Sequence, residues 1–71
     1  MNILTVNILI NGTPREVPEG TTIAELLGQL EVTARHVAVE VNLELVPRAR
    51  HGEHKLCEAD SLEVVTLVGG G

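Results

Sequence analysis

Apolar and polar residues alternate at the start of the chain. One residue in two is apolar, which predicts a β-strand with one strongly apolar face, formed by Leu4, Val6, Ile8 and Ile10. Asn11 and Gly12 follow, and both tolerate the positive φ angles that two-residue hairpin turns require. Residues 13–17 are therefore expected to return antiparallel to the first strand. Because Pro14 and Pro18 cannot donate ladder hydrogen bonds, we expect this second strand to be short and to lie at a sheet edge.

A helical pattern follows the hairpin. Thr22 and Glu25 have the spacing of a capping box, in which the Thr hydroxyl and the Glu carboxylate bind backbone N–H groups at a helix start. The next apolar residues recur at helical spacing and predict a helix to about residue 30, with a buried stripe formed by Ile23, Leu26, Leu27 and Leu30. Gly28 weakens this helix by about 1 kcal/mol relative to Ala, and we interpret it as a sign of close packing.

Three further strands are predicted in the second half of the chain. Valine alternates with other residues over Val37–Val41, and Asn42 begins a tight turn into a short strand at Glu44–Val46. Residues 48–60 are polar without a clear period and are expected to form a long loop with one helical turn. Residues 62–68 alternate again as a last strand, which leads into three glycines.

The order of the elements predicts the fold. A hairpin, a helix, two strands and a final strand form an α+β arrangement in which one main helix covers a mixed sheet of about five strands, the pattern of the β-grasp fold. The last strand is apolar on both sides of its alternation, which favours a central position beside the first strand and parallel to it. We therefore expect one β-grasp domain over residues 1–68 and a flexible glycine tail over residues 69–71.

Charge and composition restrict the possible partners. Ten acidic and five basic residues give a formal net charge of -5, and there is no Phe, Tyr or Trp, so we expect no nucleic-acid partner. No stretch approaches the roughly 20 apolar residues of a membrane span, and the first residues lack the basic start of a secretion signal. We therefore expect no membrane association and a cytoplasmic location. Cys57, the single cysteine, cannot form an internal disulfide, as expected in a reducing compartment.

The three glycines after the last strand carry the candidate chemistry. Such a run is often an idle tail, but here it follows a strand with no linker, and three extended residues reach roughly 10 Å into a narrow enzyme channel. The carboxylate of Gly71 becomes reactive only after adenylation by ATP. The glycine run has no following helix, Lys or Ser/Thr and is not a phosphate-binding loop. We therefore expect a carrier and not an enzyme, with no bound cofactor and with ATP used by a partner.

Four segments resemble the ThiS family of sulfur carriers of thiamine biosynthesis, over essentially the whole chain. They are Gly20-Thr21-Thr22-Ile23-Ala24-Glu25-Leu26-Leu27, Val37-Ala38-Val39-Glu40-Val41-Asn42, Val46-Pro47-Arg48 and Val64-Val65-Thr66-Leu67-Val68-Gly69-Gly70-Gly71. The resemblance implies adenylation of Gly71 by a ThiF-like enzyme, conversion to a thiocarboxylate with sulfur from a donor such as a cysteine desulfurase, and delivery to a ThiG-like thiazole synthase. By position, Gly71 bears the sulfur, and Gly69 and Gly70 are the flexible approach.

The chain differs from the family pattern in two places, and other functions stay open. An aromatic residue commonly follows the Val-Pro-Arg segment, where this chain has Ala49, Arg50 and His51. Ala59 stands between two acidic residues where the family usually has glycine, so we expect a less tight turn before the last strand. The alternatives are a molybdopterin-synthase small subunit, a ubiquitin-like modifier joined to lysines of target proteins, and an interaction domain with an idle tail.

Several residues on the body are candidate contacts or ligands. The predicted partner contacts are an apolar surface beside the reactive end and one arginine, namely Leu43, Arg48, Leu67 and Val68. Acidic strand residues expected to be solvated, and able to steer docking onto a basic enzyme surface, are Glu40, Glu44 and Glu63. His51, His54 and Cys57 are spaced three apart, but structural zinc sites usually show two ligand pairs, so we expect solvated loop residues and no metal. Nothing marks an oxyanion site beside Cys57, which we interpret as a packed thiol.

Overall fold

The computed structural model describes residues 4–33 and 36–66. Its elements are β1 (Thr5–Ile10), β2 (Thr13–Pro18), α1 (Ile23–Gln29), β3 (Val37–Val41), β4 (Glu44–Val46), a 3₁₀ helix (Arg48–Arg50) and β5 (Ser61–Thr66). The strands form one mixed sheet in the order β2-β1-β5-β3-β4, and α1 covers one face of it. The predicted α+β class and the β-grasp fold are confirmed. No helix in this part of the chain is long and apolar enough to cross a membrane.

The sheet has the central strand that the sequence predicts. β5 lies between β1 and β3, parallel to β1 through two residue pairs and antiparallel to β3 through five. The parallel pairing of the first and last strands is confirmed. The last described residue, Thr66, therefore lies in the middle of the sheet, where it pairs with Val37.

Both hairpins turn through residues with positive φ. Asn11 and Gly12 have φ angles of 50° and 83°, and Asn42 and Leu43 have φ angles of 52° and 72°. Two successive positive φ angles match the right-handed twist of the flanking strands, which explains why both strand pairs close in two residues. The second turn carries a leucine where glycine is usual.

The edge position of β2 is confirmed, but the expectation that β2 is short is wrong. β2 has six residues, the same length as β1, and ends at Pro18. Its prolines are opposite Leu9 and Thr5, alternate positions of the ladder at which an N–H group points away from the partner strand. A missing N–H costs no ladder bond there, so the prolines do not shorten the strand.

α1 begins and ends as the sequence predicts. Glu25 N–H donates to Thr22 Oγ1 at 3.2 Å, and Thr22 N–H donates to Glu25 Oε1 at 2.9 Å, so the capping box is complete. The interpretation of Gly28 as a close-packing residue is wrong. Gly28 is exposed, and a Cβ added to it would meet nothing within 4 Å.

One apolar core lies between α1 and the sheet. The predicted helical stripe supplies three buried residues, and Leu30 is half-buried beside them. Val6, Ile8 and Ile10 confirm the apolar face of β1, whereas Leu4 is exposed and lies before the strand. The buried residues of the core are Ile8, Val17, Ile23, Leu26, Leu27, Val39, Val41, Val46, Leu56 and Leu62.

The segment between β4 and β5 contains the predicted helical turn but is not simply a solvated loop. The carbonyl oxygens of His54 and His51 accept hydrogen bonds from the N–H groups of Ile23 and Ala24, at 3.0 and 2.9 Å. These donors belong to the first turn of α1, which has no partners for them within the helix. The segment is therefore fixed to the start of α1, and Leu56 packs into the core.

Candidate functional site

Leu67 and Val68 separate the predicted reactive tail, residues 69–71, from Thr66 at the end of β5. Leu67, Val68 and the three glycines 69–71 lie outside the described residues, as does the predicted domain boundary at residue 68. The description of the site therefore ends at Thr66, the last residue of β5. What the structure defines is the base of the tail: its place at the centre of the sheet and the contacts that fix β5.

Two asparagine side chains bind the backbone of β5, one near each end. At the start, Ser61 N–H donates to Asn42 Oδ1 at 3.0 Å, and Asn42 N–H donates to the Ser61 carbonyl at 2.8 Å. Further along, Val64 N–H donates to Asn11 Oδ1 at 2.8 Å, and Asn11 Nδ2 donates to the Val64 carbonyl at 3.1 Å. Both asparagines stand at the first position of a hairpin turn. The sequence pattern indicates only a turn-forming role for these two residues.

The turn before β5 is tight, contrary to the expectation from Ala59. Asp60 N–H donates to the Cys57 carbonyl at 3.1 Å, and Ala59 adopts a φ of 70°. The buried Asp60 carboxylate accepts hydrogen bonds from Cys57 N–H at 2.8 Å and from Asn42 Nδ2 at 2.9 Å. These bonds impose the left-handed conformation on a residue that has a Cβ atom, so the cost appears as backbone strain at Ala59.

The predicted contacts Leu43 and Arg48 lie at different ends of the sheet. Leu43 is 89% exposed, but its turn adjoins the Val41–Leu62 pair, at the start of β5. Thr66 lies four residues after Leu62 in β5, a distance of roughly 13 Å in an extended strand. Leu43 therefore lies beside the start of β5, and its role as a partner contact stays a prediction. β4 runs toward the tail end of the sheet, and Arg48 begins the 3₁₀ helix beyond it.

Sequence reasoning missed two exposed apolar residues on the uncovered face of the sheet. Leu45 is 65% exposed and Val65 is 50% exposed, and both project from the face opposite α1. On that face Glu40 of β3 pairs with Glu63 of β5 and, on its other side, with Leu45 of β4. Neighbouring residues of a strand point to opposite faces, so Leu45 beside the buried Val46 and Val65 beside the half-buried Val64 could have been predicted to lie on the uncovered face. The prediction that Glu40, Glu44 and Glu63 are exposed is confirmed.

The histidines and the cysteine of the segment 48–60 do not converge. His51 is 5% exposed, and its Nε2 lies 3.0 Å from the Val46 carbonyl oxygen, so the expectation of a solvated side chain is wrong for this residue. His54 is half-buried. Cys57 is exposed, which contradicts its interpretation as a packed thiol. Among the described residues, no three His, Cys, Asp or Glu side chains are grouped to hold a metal ion.

Comparison with known proteins points to one family. The model of the ThiS family matches residues 8–71. The chain is 40% identical over 50 residues to the sulfur carrier protein ThiS of Bacillus subtilis, a match that covers 70% of this chain and 76% of that protein. The crystal structure of the thiamine biosynthesis protein ThiS from Geobacter metallireducens superposes with a TM-score of 0.79 at 33% identity, covering 93% of this chain and 100% of that one.

Longer relatives contain a segment similar to this chain. The thiazole synthase of Paramagnetospirillum magneticum is 41% identical over 66 residues, which are 93% of this chain and 20% of that protein. The thiazole synthase of Magnetococcus marinus gives the same identity and coverage. The chain thus spans about a fifth of the length of these two relatives.

Proposed function

This chain belongs to the ThiS family, and we infer that it is a sulfur carrier in thiamine biosynthesis, with Gly71 as the residue that bears the sulfur. The observation that carries this proposal is the place of Gly69-Gly70-Gly71 in the sequence, two residues after the end of β5, the central strand of the sheet. A central strand gives the tail a rigid base, and residues without Cβ atoms can pass through a narrow channel of another protein. The 40% identity to a sulfur carrier protein supports the same role.

The proposed chemistry takes place in two steps at the Gly71 carboxylate. An oxygen of the carboxylate attacks the α-phosphorus of ATP, which releases pyrophosphate and leaves an acyl adenylate. A hydrosulfide equivalent then attacks the acyl carbon, the bond to AMP breaks, and the product is a thiocarboxylate. Because the α-carbon of glycine carries no side chain, the acyl carbon is open to this attack.

Catalysis of both steps belongs to partner proteins. A ThiF-like adenylating enzyme binds ATP and holds the carboxylate against it. A sulfur donor such as a cysteine desulfurase supplies the sulfur as a persulfide, and a thiol reductant brings it to the hydrosulfide level by cleaving the S–S bond. The contribution of the carrier is to present its reacting group at a fixed place, which turns an encounter in solution into a reaction within one complex.

A ThiG-like thiazole synthase is the proposed acceptor of the sulfur. Two proteins named thiazole synthase each contain a segment 41% identical to this chain over 66 residues. Such a segment within the same polypeptide supports a carrier that works directly with thiazole synthase. This observation favours thiazole formation over the two alternative roles, that of a molybdopterin-synthase subunit and that of a protein modifier.

Intact-mass measurement tests the proposal. The chain is incubated with ATP, a sulfur donor and an adenylating enzyme known to charge another ThiS-family carrier, and we expect the mass to rise by the exchange of one oxygen for sulfur. The Cys57→Ser variant should show the same rise, because the exposed thiol is the other place where sulfur could attach. A chain without Gly71 should show none.

Two results would contradict the proposal. One is an unchanged mass of the wild-type chain with an enzyme that charges its usual carrier in the same assay. The other is a mass increase that disappears in Cys57→Ser but persists without Gly71. Isopeptide-linked conjugates in cell extracts would instead indicate a protein modifier.

A further inference from the structure

Asn11 fixes β5 at a point where β1 has already turned away. β1 pairs with β5 only through Leu9 with Ser61 and Ile10 with Leu62, whereas β3 pairs with β5 as far as Thr66. Beyond Leu62, the side of β5 that faces β1 would lack a partner strand. The Asn11 carboxamide supplies one, with its Oδ1 at 2.8 Å from Val64 N and its Nδ2 at 3.1 Å from Val64 O.

A carboxamide is suited to this place because it imitates a peptide group. Its oxygen accepts and its NH₂ group donates, so one side chain can satisfy both backbone groups of one residue. Asp lacks the donor, and Ser is too short to reach both atoms. The backbone imposes a second requirement, since Asn11 has a φ of 50°, a conformation that Asn tolerates better than most residues with a side chain. Asn11 meets both requirements.

The position of Val64 makes this contact relevant to the tail. Only Val65 and Thr66 separate Val64 from residues 67–71. Without Asn11, the last part of β5 is held by β3 alone, and a strand held on one side can twist or fray at its end. Because a misplacement of about 1 Å between reacting groups can cost on the order of 10² in rate, the direction in which the tail leaves the sheet matters for turnover.

We propose that Asn11 is a positioning residue for the charging of Gly71: its carboxamide fixes the end of β5 and so sets the direction in which the tail enters the adenylating enzyme. This inference rests on the function proposed above. Asn11 touches no reacting atom. It acts through Val64, on the rate of the bound complex and not on the affinity of the carrier for its enzyme.

Asn42 offers a matched control within the same strand. Asn42 has nearly the same φ, 52°, in the other two-residue turn, and its Oδ1 accepts a hydrogen bond from Ser61 N–H at 3.0 Å. It lies at the start of β5, where it binds Ser61, five residues before Thr66. Glycine accepts both φ angles, so Asn11→Gly and Asn42→Gly each remove side-chain hydrogen bonds and leave the turn backbone unstrained.

The experiment measures steady-state ATP–pyrophosphate exchange by an adenylating enzyme that charges the wild-type chain. For Asn11→Gly we expect kcat to fall about tenfold to a hundredfold while the KM for the carrier stays unchanged. Asn11→Asp keeps an acceptor for Val64 N–H but places a second oxygen against the Val64 carbonyl. Its kcat should therefore lie between that of the wild-type chain and that of Asn11→Gly. Asn42→Gly should keep the wild-type kcat, even though it also loses stability.

Hydrogen exchange identifies the cause of the change. The Val64 amide should exchange faster in Asn11→Gly, because it loses its acceptor, and should stay protected in Asn42→Gly. If Asn11→Gly does not fold, Asn11→Asp is judged by the same criteria.

Three outcomes overturn the proposal. An Asn11→Gly variant with wild-type kcat and a rapidly exchanging Val64 amide shows that the contact has no effect on charging. An equal loss of kcat in both glycine variants shows a general loss of stability. If a competent adenylating enzyme does not charge the wild-type chain, the proposed function itself is overturned, and the role of Asn11 with it. The measurement on the wild-type chain thus separates failure of the proposed function from failure of the proposal for Asn11 alone.

Discussion

Ala59 adopts a left-handed backbone in the turn that leads into β5. Its φ is 70°, its N–H donates to the Asn7 carbonyl at 2.8 Å, and the bonds of Asp60 close the turn around it. A left-handed conformation costs roughly 1–2 kcal/mol for a residue with a Cβ atom. The hydrogen bonds of the turn offset this strain and fix the start of β5, the central strand.

Ala59→Gly is therefore expected to stabilise the protein. The gain should be about 0.5–1 kcal/mol, since relief of strain is partly offset by the greater freedom of glycine in the unfolded chain. Urea unfolding followed by circular dichroism measures it. Ala24→Gly, in the first turn of α1, is the control and should destabilise, because glycine is a poor helix former. A loss of stability in Ala59→Gly would show that the turn carries no strain.

Single residues also mark where sequence reasoning fails. His51 and Asn11 make contacts that no local pattern specifies: His51 is buried and its carbonyl accepts a hydrogen bond from Ala24 N–H, 27 positions away along the chain, and Asn11 reaches Val64, 53 positions away. Both are polar residues in turns or loops, where a solvated side chain is the usual expectation. Only the packing of distant segments reveals their roles.

The elements, by contrast, could be predicted because their signals are local. The Thr22–Glu25 capping box, the Asn-Gly turn and the alternation of valine in β3 each lie within a few residues, and each gives an element of the expected kind. The predictions that are wrong concern the contacts of an element with its neighbours. The length of β2 and the environment of Gly28 depend on the neighbouring chain and not on the segment itself.

Gly28 of α1 is not required by close packing, because a side chain there would meet no neighbouring atom. Gly28→Ala should raise the free energy of unfolding by about 0.5–1 kcal/mol, because alanine favours the helix and its Cβ meets no atom within 4 Å. Thermal unfolding measures the change. Gly20→Ala is the matched control: its surroundings are equally open, but its φ of 91° disfavours a side chain, so the same substitution should destabilise there. Equal effects at both sites would contradict this explanation.

At the scale of the whole molecule, the sheet has one face covered by α1 and one face uncovered. Leu45, Val65 and the opposed Glu40 and Glu63 share the uncovered face; the first of these and the two glutamates are level with the middle of β5, and Val65 lies one residue before its end. Two carboxylates directly across a strand pair repel each other and weaken the sheet slightly. Exposed apolar residues beside such a pair are typical of a surface that a partner covers.

Leu45→Ser is expected to weaken recognition by the adenylating enzyme, whereas Leu43→Ser is not. Burial of one leucine contributes about 1.5–3 kcal/mol, so the KM for the carrier should rise about tenfold or more in Leu45→Ser, with kcat unchanged. Leu43 is more exposed but lies in the turn between β3 and β4, beside the start of β5. Steady-state charging assays compare the two variants, and a larger effect of Leu43→Ser would show that the enzyme docks at the opposite end of the sheet.

The central position of β5 also affects how the molecule is made. In the sheet order, the hairpins β1-β2 and β3-β4 meet only through β5. A polypeptide that stops before Ser61 therefore has two unconnected hairpins, and the ribosome must deliver the residues adjoining the glycine tail before the sheet can close. A binding protein that recognises the closed sheet would therefore not bind fragments that lack β5.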